Sequence, residues 1–182
     1  MFAYEPGPEL TPYVYGLALL MAGIGALTDY RTGHIPNWLT LPPIIIAPIA
    51  YGLAFGWDAF MGVSVGIIIC GLVPVIMFYM NGMAGGDVKL FVAIAALVGP
   101  DLGLQAELLA FVVGGIYSLG RLAWDGKLFR TLGNVAMMGV NPLLPKRLRR
   151  PLSTELRDTL RLGGAIFAGL LITLLGRVRG QF

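Results

Sequence analysis

Charge is what this chain has least of: 13% of its 182 residues are charged, against 57% hydrophobic. Soluble domains average about 25% charged residues, and so few charges cannot cover a water-facing surface. A soluble fold is therefore excluded, and the length suits one membrane-embedded domain, residues 1–182, without a large soluble companion. Cysteine and histidine are almost missing too. Cys70 stands alone in an apolar run and has no partner for a disulfide or a zinc knuckle, so it is expected to be a small core or lipid-facing residue. His34 has no second His or Cys nearby to share a metal. Neither a Ser–His nor a Cys–His catalytic pair is credible, because the single histidine and the single cysteine fall on different elements. No cofactor, metal or nucleic-acid partner is expected. The opening residues, MFAYEPGPEL, are acidic and lack a basic n-region, so the first apolar stretch is expected to be a permanent span, not a cleaved signal.

Long apolar runs are what the chain has in abundance. A span takes about 17–25 mostly apolar residues, and six stretches qualify or nearly so: Tyr13–Thr28, Trp38–Phe55, Ala59–Met80, Val88–Val98, Leu102–Ala123 and Leu160–Leu175. The expected fold is all-α and polytopic, with about six transmembrane helices. Pro42, Pro43 and Pro48 do not disqualify the second stretch, because neighbouring helices can re-satisfy carbonyls freed by proline. The fourth stretch, beginning near Asp87, is too short to cross unless its ends are buried in protein. Glycine is plentiful, 26 residues spread through the spans, where small residues let helices approach closely.

Six spans divide the basic residues unevenly. One side collects Arg31, Lys89, Arg121, Arg161 and every basic residue of the 124–159 segment. The other holds only Arg177 and Arg179, together with Glu5, Glu9, Asp58, Asp101 and Glu107. The excess of Lys and Arg predicts that the first side faces the cytoplasm. Residues 124–159 are expected to form a cytoplasmic basic loop that anchors topology against the anionic leaflet of the lipid bilayer.

Most of the acids fall in predicted loops, but Asp29 and Asp87 sit at span ends on the same side. Ionisable groups at the edge of a membrane bundle are expensive and tend to be functional. Asp29 closes the first span and leads into Tyr30-Arg31-Thr32-Gly33-His34-Ile35-Pro36-Asn37, where Gly33 permits a turn and Asn37 is placed to cap the next helix. Asp87 opens the fourth after Ala84-Gly85-Gly86, whose bare backbone would let an extended peptide approach. Taken singly, Asp87 is an ordinary helix cap and Asp29 a solvated end charge beside Arg31. Their shared side and unusual surroundings favour a joint role.

The runs Asp29-Tyr30-Arg31…Ile35-Pro36-Asn37 and Gly85-Gly86-Asp87-Val88-Lys89-Leu90 resemble the two signatures of the type IV prepilin peptidases. The likeness is nearest to the small form that accompanies tight-adherence, Flp-type pili. The late run Leu162–Gly169 resembles that family's final glycine-rich span. One departure is Ala84, where the Gly-x-Gly-Asp pattern has its first glycine. The resemblance implies an aspartic endopeptidase in the bacterial inner membrane with Asp29 and Asp87 as catalytic residues. Arg31, Pro36, Asn37, Gly85, Gly86 and Lys89 would shape the site. The substrate would be a type IV pilin-like precursor, cut between a basic leader and an apolar helix at the cytoplasmic face. Long members also carry paired Cys-x-x-Cys motifs in a cytosolic domain and methylate the new N-terminus. With one cysteine in these residues, methyl transfer is not expected.

Two carboxylates can hydrolyse a peptide bond without metal, one taking a proton from water while the other supplies one. Helix-end electrostatics suggest Asp87 as the initial base, since it lies at a helix N-terminus and Asp29 at a C-terminus. An ion-coupled transporter or a non-catalytic secretion-system component is the alternative. Transport sites lie near the membrane midplane between repeated halves, and no internal repeat is present.

Overall fold

The computed structural model describes residues 10–80, 82–124, 126 and 162–179. It divides into two compact units, residues 1–114 with 161–182, and residues 115–160. The basic segment 124–159 lies outside the described residues apart from Trp124 and Gly126.

Proline and glycine mark where the helices begin and turn. The first, α1 (Thr11–Thr32), has a proline in its first turn, where the missing N–H is no loss. It ends at Gly33, whose left-handed φ of 67° lets its N–H return to the Asp29 carbonyl at 2.8 Å. Helix α2 (Asn37–Phe55) keeps Pro42, Pro43 and Pro48 inside it. A single residue, Gly56 at φ 91°, separates it from α3 (Trp57–Tyr79). That short link folds α3 back along α2, and a Cβ placed on Gly52 would stand 3.0 Å from the Phe60 Cβ. Helix α4 (Gly85–Val98) is followed by Gly99 at φ 84° and then α5 (Pro100–Trp124), with Pro100 opening the new helix. The last helix is α6 (Gly163–Val178).

Four helices, α1, α2, α3 and the Pro100–Arg121 part of α5, are long and apolar enough to cross a membrane, and α6 is a shorter apolar helix. The chain is an all-helical, multi-pass membrane protein. Large apolar side chains such as Leu20, Leu53, Ile68, Leu72 and Leu108 stand exposed on these helices, as lipid-facing residues do.

Helix α4 is built differently. Its 14 residues span about 21 Å at 1.5 Å each, less than the ~30 Å hydrocarbon core. It is also almost entirely buried: Asp87, Leu90, Phe91 and every residue from Ala93 to Val98. It packs against α1, α2, α3 and α6. It meets α5 as well, through the Phe91–Phe111 ring pair at 5.5 Å and the close approach of Gly103 to Ala95. The alanines at 93, 95 and 96 allow that crowding. The short fourth helix satisfies the condition set from sequence, since protein and not lipid surrounds it.

Several boundaries move. Helix α1 runs past Thr28, so Asp29 lies inside its last full turn, and α4 starts two residues before Asp87, at Gly85. Glu107, grouped from sequence with loop and span-end acids, lies well inside α5 and is 4% exposed.

Candidate active site

Helices α1 and α4 run antiparallel, so the end of one and the start of the other share a level. The contact that sets their register is small against large. A Cβ on Gly25 would stand 3.1 Å from the Leu90 Cδ2, so a larger residue there would press the leucine back by a few tenths of an ångström. Gly25 is one turn before Asp29 on α1, and Leu90 is one turn after Asp87 on α4, which brings the two aspartates to the same height on facing helices. Both are buried, Asp29 at 7% and Asp87 at 2% exposure. Their carboxylates lie within electrostatic reach of each other.

The connections around them are tied to the same place. Ile35 is buried against the start of α4, where a Cβ on Gly86 would come within 3.2 Å of the Ile35 Cβ. Gly85 faces the Phe78 ring at 3.3 Å by the same measure. These glycines belong to the first turn of α4 and serve the packing of their own chain. Both remain half-exposed. Asn37 does not cap α2: the cap position is Pro36, and no side-chain cap bond is made there. Instead, Lys89 Nζ donates to Asn37 Oδ1 at 2.9 Å, linking the α1–α2 connection to α4. Arg31 and His34 are exposed beside this cluster. Asp29, Ile35, Pro36, Asn37, Gly85, Gly86, Asp87 and Lys89 are thus gathered at one end of the helices.

One participant was flagged in the sequence only as part of a glycine-rich span. The Gly163 N–H, at the start of α6, donates to Asp29 Oδ2 at 3.1 Å. This changes the electrostatic comparison drawn from sequence. Asp29 sits at the C-terminal end of its own helix, but its carboxylate faces the N-terminal end of another. Both carboxylates thus lie at a helix N-terminus, and helix-end electrostatics do not rank Asp87 above Asp29 as the base.

Two buried carboxyl groups within electrostatic reach of each other can pass protons to and from a bound water. Among the described residues no group of three or more His, Cys, Asp or Glu is placed to hold a metal ion.

Comparison with known proteins bears on the same region. Residues 16–119, which include both aspartates, match the type IV leader peptidase family. The chain is 32% identical over 89 residues to the prepilin peptidase EppA of Methanocaldococcus jannaschii, covering 49% of this chain and 24% of that protein. It is 29% identical over 123 residues to a prepilin leader peptidase/N-methyltransferase of Bacillus subtilis, covering 63% of this chain and 48% of that protein. The chain thus spans about a quarter and about half the length of these curated relatives. No solved structure gives a significant match. The matched stretch covers more than half of the residues and contains both buried aspartates, and the chain belongs to the type IV leader peptidase family.

Proposed function

We propose that this protein is a membrane-embedded aspartic endopeptidase that removes the leader from type IV pilin-like precursors, with Asp29 and Asp87 as its catalytic pair. The observation that carries this reading is the meeting of two buried carboxylates from different helices at one end of the packed unit. The named relatives support the substrate class, since both are prepilin peptidases.

In this mechanism one carboxylate takes a proton from water, and the water oxygen attacks the scissile carbonyl carbon. The partner carboxyl gives its proton to the carbonyl oxygen, and the tetrahedral intermediate collapses with proton transfer to the leaving nitrogen. The C–N bond breaks, leaving a leader that ends in a carboxylate and a mature chain with a free amino group. A substrate with an apolar helix already lies in the bilayer, so holding it beside the pair turns a rare encounter into a positioned one. Gly85, Gly86 and Pro36 set the spacing of the α4 start and the α1–α2 connection, Asn37 and Lys89 tie the two together, and Arg31 stands at the rim.

The finer reading places the protein in the bacterial inner membrane with the pair facing the cytoplasm, where the basic residues gather. It makes the precursor a Flp-type pilin and assigns cleavage without N-methylation to these residues. Co-expression with a Flp-type prepilin tests it. The wild type is expected to shorten the precursor on a gel, and Asp29→Ala and Asp87→Ala are expected to stop cleavage while still inserting in the membrane. The mass of the mature N-terminus is expected to show no added methyl group. Normal cleavage by both variants would overturn the aspartic mechanism. Failure of the wild type on Flp-type precursors, with cleavage of another type IV precursor, would overturn only the Flp assignment.

A further inference from the structure

Helix α6 begins without a cap of its own. The residue before it is Leu162, which offers no side-chain acceptor, and no side-chain cap bond is made there. Uncapped helix starts leave backbone N–H groups unsatisfied, at a penalty when they are buried. Leu162 is 8% exposed and Gly163 is buried, so water is a poor substitute. The acceptor that fills the gap is Asp29 Oδ2, from a residue 134 positions away in sequence. The approach is close enough to exclude a side chain. A Cβ on Gly163 would stand 2.9 Å from the Asp29 Cβ, 3.0 Å from its Oδ2 and 3.2 Å from the Ala26 Cα. The next residue, Gly164, differs: a Cβ there would meet nothing within 4 Å.

We propose that Gly163 is a positioning residue for the peptidase, its N–H fixing the Asp29 carboxylate so that Oδ2 is held by α6 and Oδ1 is left for the reacting water. This inference rests on the reading of Asp29 and Asp87 as the catalytic pair. A donor held in a helix cannot follow a rotating carboxylate, so the bond restricts Asp29 to one orientation before substrate arrives. Glycine is required because any Cβ would push Asp29 or α6 away. The family match ends at residue 119, so this contribution comes from beyond the stretch on which the family assignment stands.

The test compares cleavage kinetics of purified wild type, Asp29→Asn, Asp87→Asn, Gly163→Ala and Gly164→Ala on one prepilin. Gly163→Ala is expected to lower kcat by about tenfold to a hundredfold with little change in KM, and Gly164→Ala to stay within about twofold of wild type. If the aspartate variants are inactive and Gly163→Ala matches Gly164→Ala, the positioning role is overturned and the catalytic pair stands. If the aspartate variants cleave normally, both fall. A second readout covers the case in which Gly163→Ala fails to insert. In detergent-solubilised protein labelled with 15N-glycine, assigned through the preceding Leu162, the Gly163 amide signal is expected to sit at a different position in Asp29→Asn than in wild type, because its acceptor changes. In Gly164→Ala it is expected to stay where it is in wild type. A Gly163 signal indifferent to the Asp29 substitution overturns the proposal.

Discussion

Three carboxyl groups are buried among the described residues, and they occupy two unlike regions. Asp29 and Asp87 lie where α1, α4 and α6 converge, within reach of each other, with Gly163 donating to one of them. Glu107 lies inside α5, roughly two turns from Pro100, and its Oε2 has no hydrogen-bond partner among the described residues. Burial alone therefore does not single out a reaction centre. The aspartates stand apart because separate helices deliver a second carboxyl and a fixed donor to one place. Among the described residues Glu107 has neither a carboxyl partner nor a donor to its Oε2, although an isolated intramembrane acid would be the first residue to suspect in an ion-coupled carrier.

The largest expected effect separates the two regions by activity. Asp29→Asn and Asp87→Asn are each expected to slow cleavage by about 10²–10⁴-fold, whereas Glu107→Gln should leave it within about twofold. A loss at Glu107 equal to that at the aspartates would erase the distinction.

Packing comes next. Gly86→Val places branched carbon where a single Cβ already stands 3.2 Å from Ile35. Overpacking of this kind destabilises by about 1–3 kcal/mol, so a lowered melting temperature in detergent and a marked loss of cleavage are expected together. Gly16→Ala, where nothing lies within 4 Å, is the matched control and should melt as wild type does.

Glu107→Met sharpens the comparison from the other direction. An unsatisfied buried polar group is a penalty of about 1–3 kcal/mol. Removing it is expected to raise the melting temperature without loss of cleavage, while neither aspartate tolerates methionine in an activity assay. A destabilised Glu107→Met would show that this carboxyl has a structural partner after all.

The smallest effect is expected at the Lys89–Asn37 bond. It lies on an exposed surface, where pairs involving a charge contribute about 0.2–1 kcal/mol. Lys89→Met and Asn37→Ala should each slow cleavage by less than about tenfold, and the double variant should be no worse than the poorer single one. Fully additive losses would mean the two residues act separately.

Much of this was legible in the sequence, and for identifiable reasons. Helices α2, α3 and α5 lie within two residues of their expected limits, because apolar runs broken by proline and glycine define where a membrane helix can exist. The flanking motifs marked Asp29 and Asp87. Two local readings failed. Asn37 was expected to cap and instead accepts from Lys89. Glu107 was grouped with peripheral acids and is buried. In each case a partner distant in the chain decides the residue's surroundings, and local sequence carries no record of that partner.

By itself, then, the sequence determined that the chain must live in a membrane and where most of its described helices run, because composition and run length answer to the solvent alone. Only the tertiary structure decided that α4 would be sheathed by protein, that Gly25 would admit Leu90 and bring the aspartates level, and that Gly163 would hold Asp29. Those outcomes depend on which surfaces meet, and side-chain volume and backbone approach select among meetings only once the helices are packed.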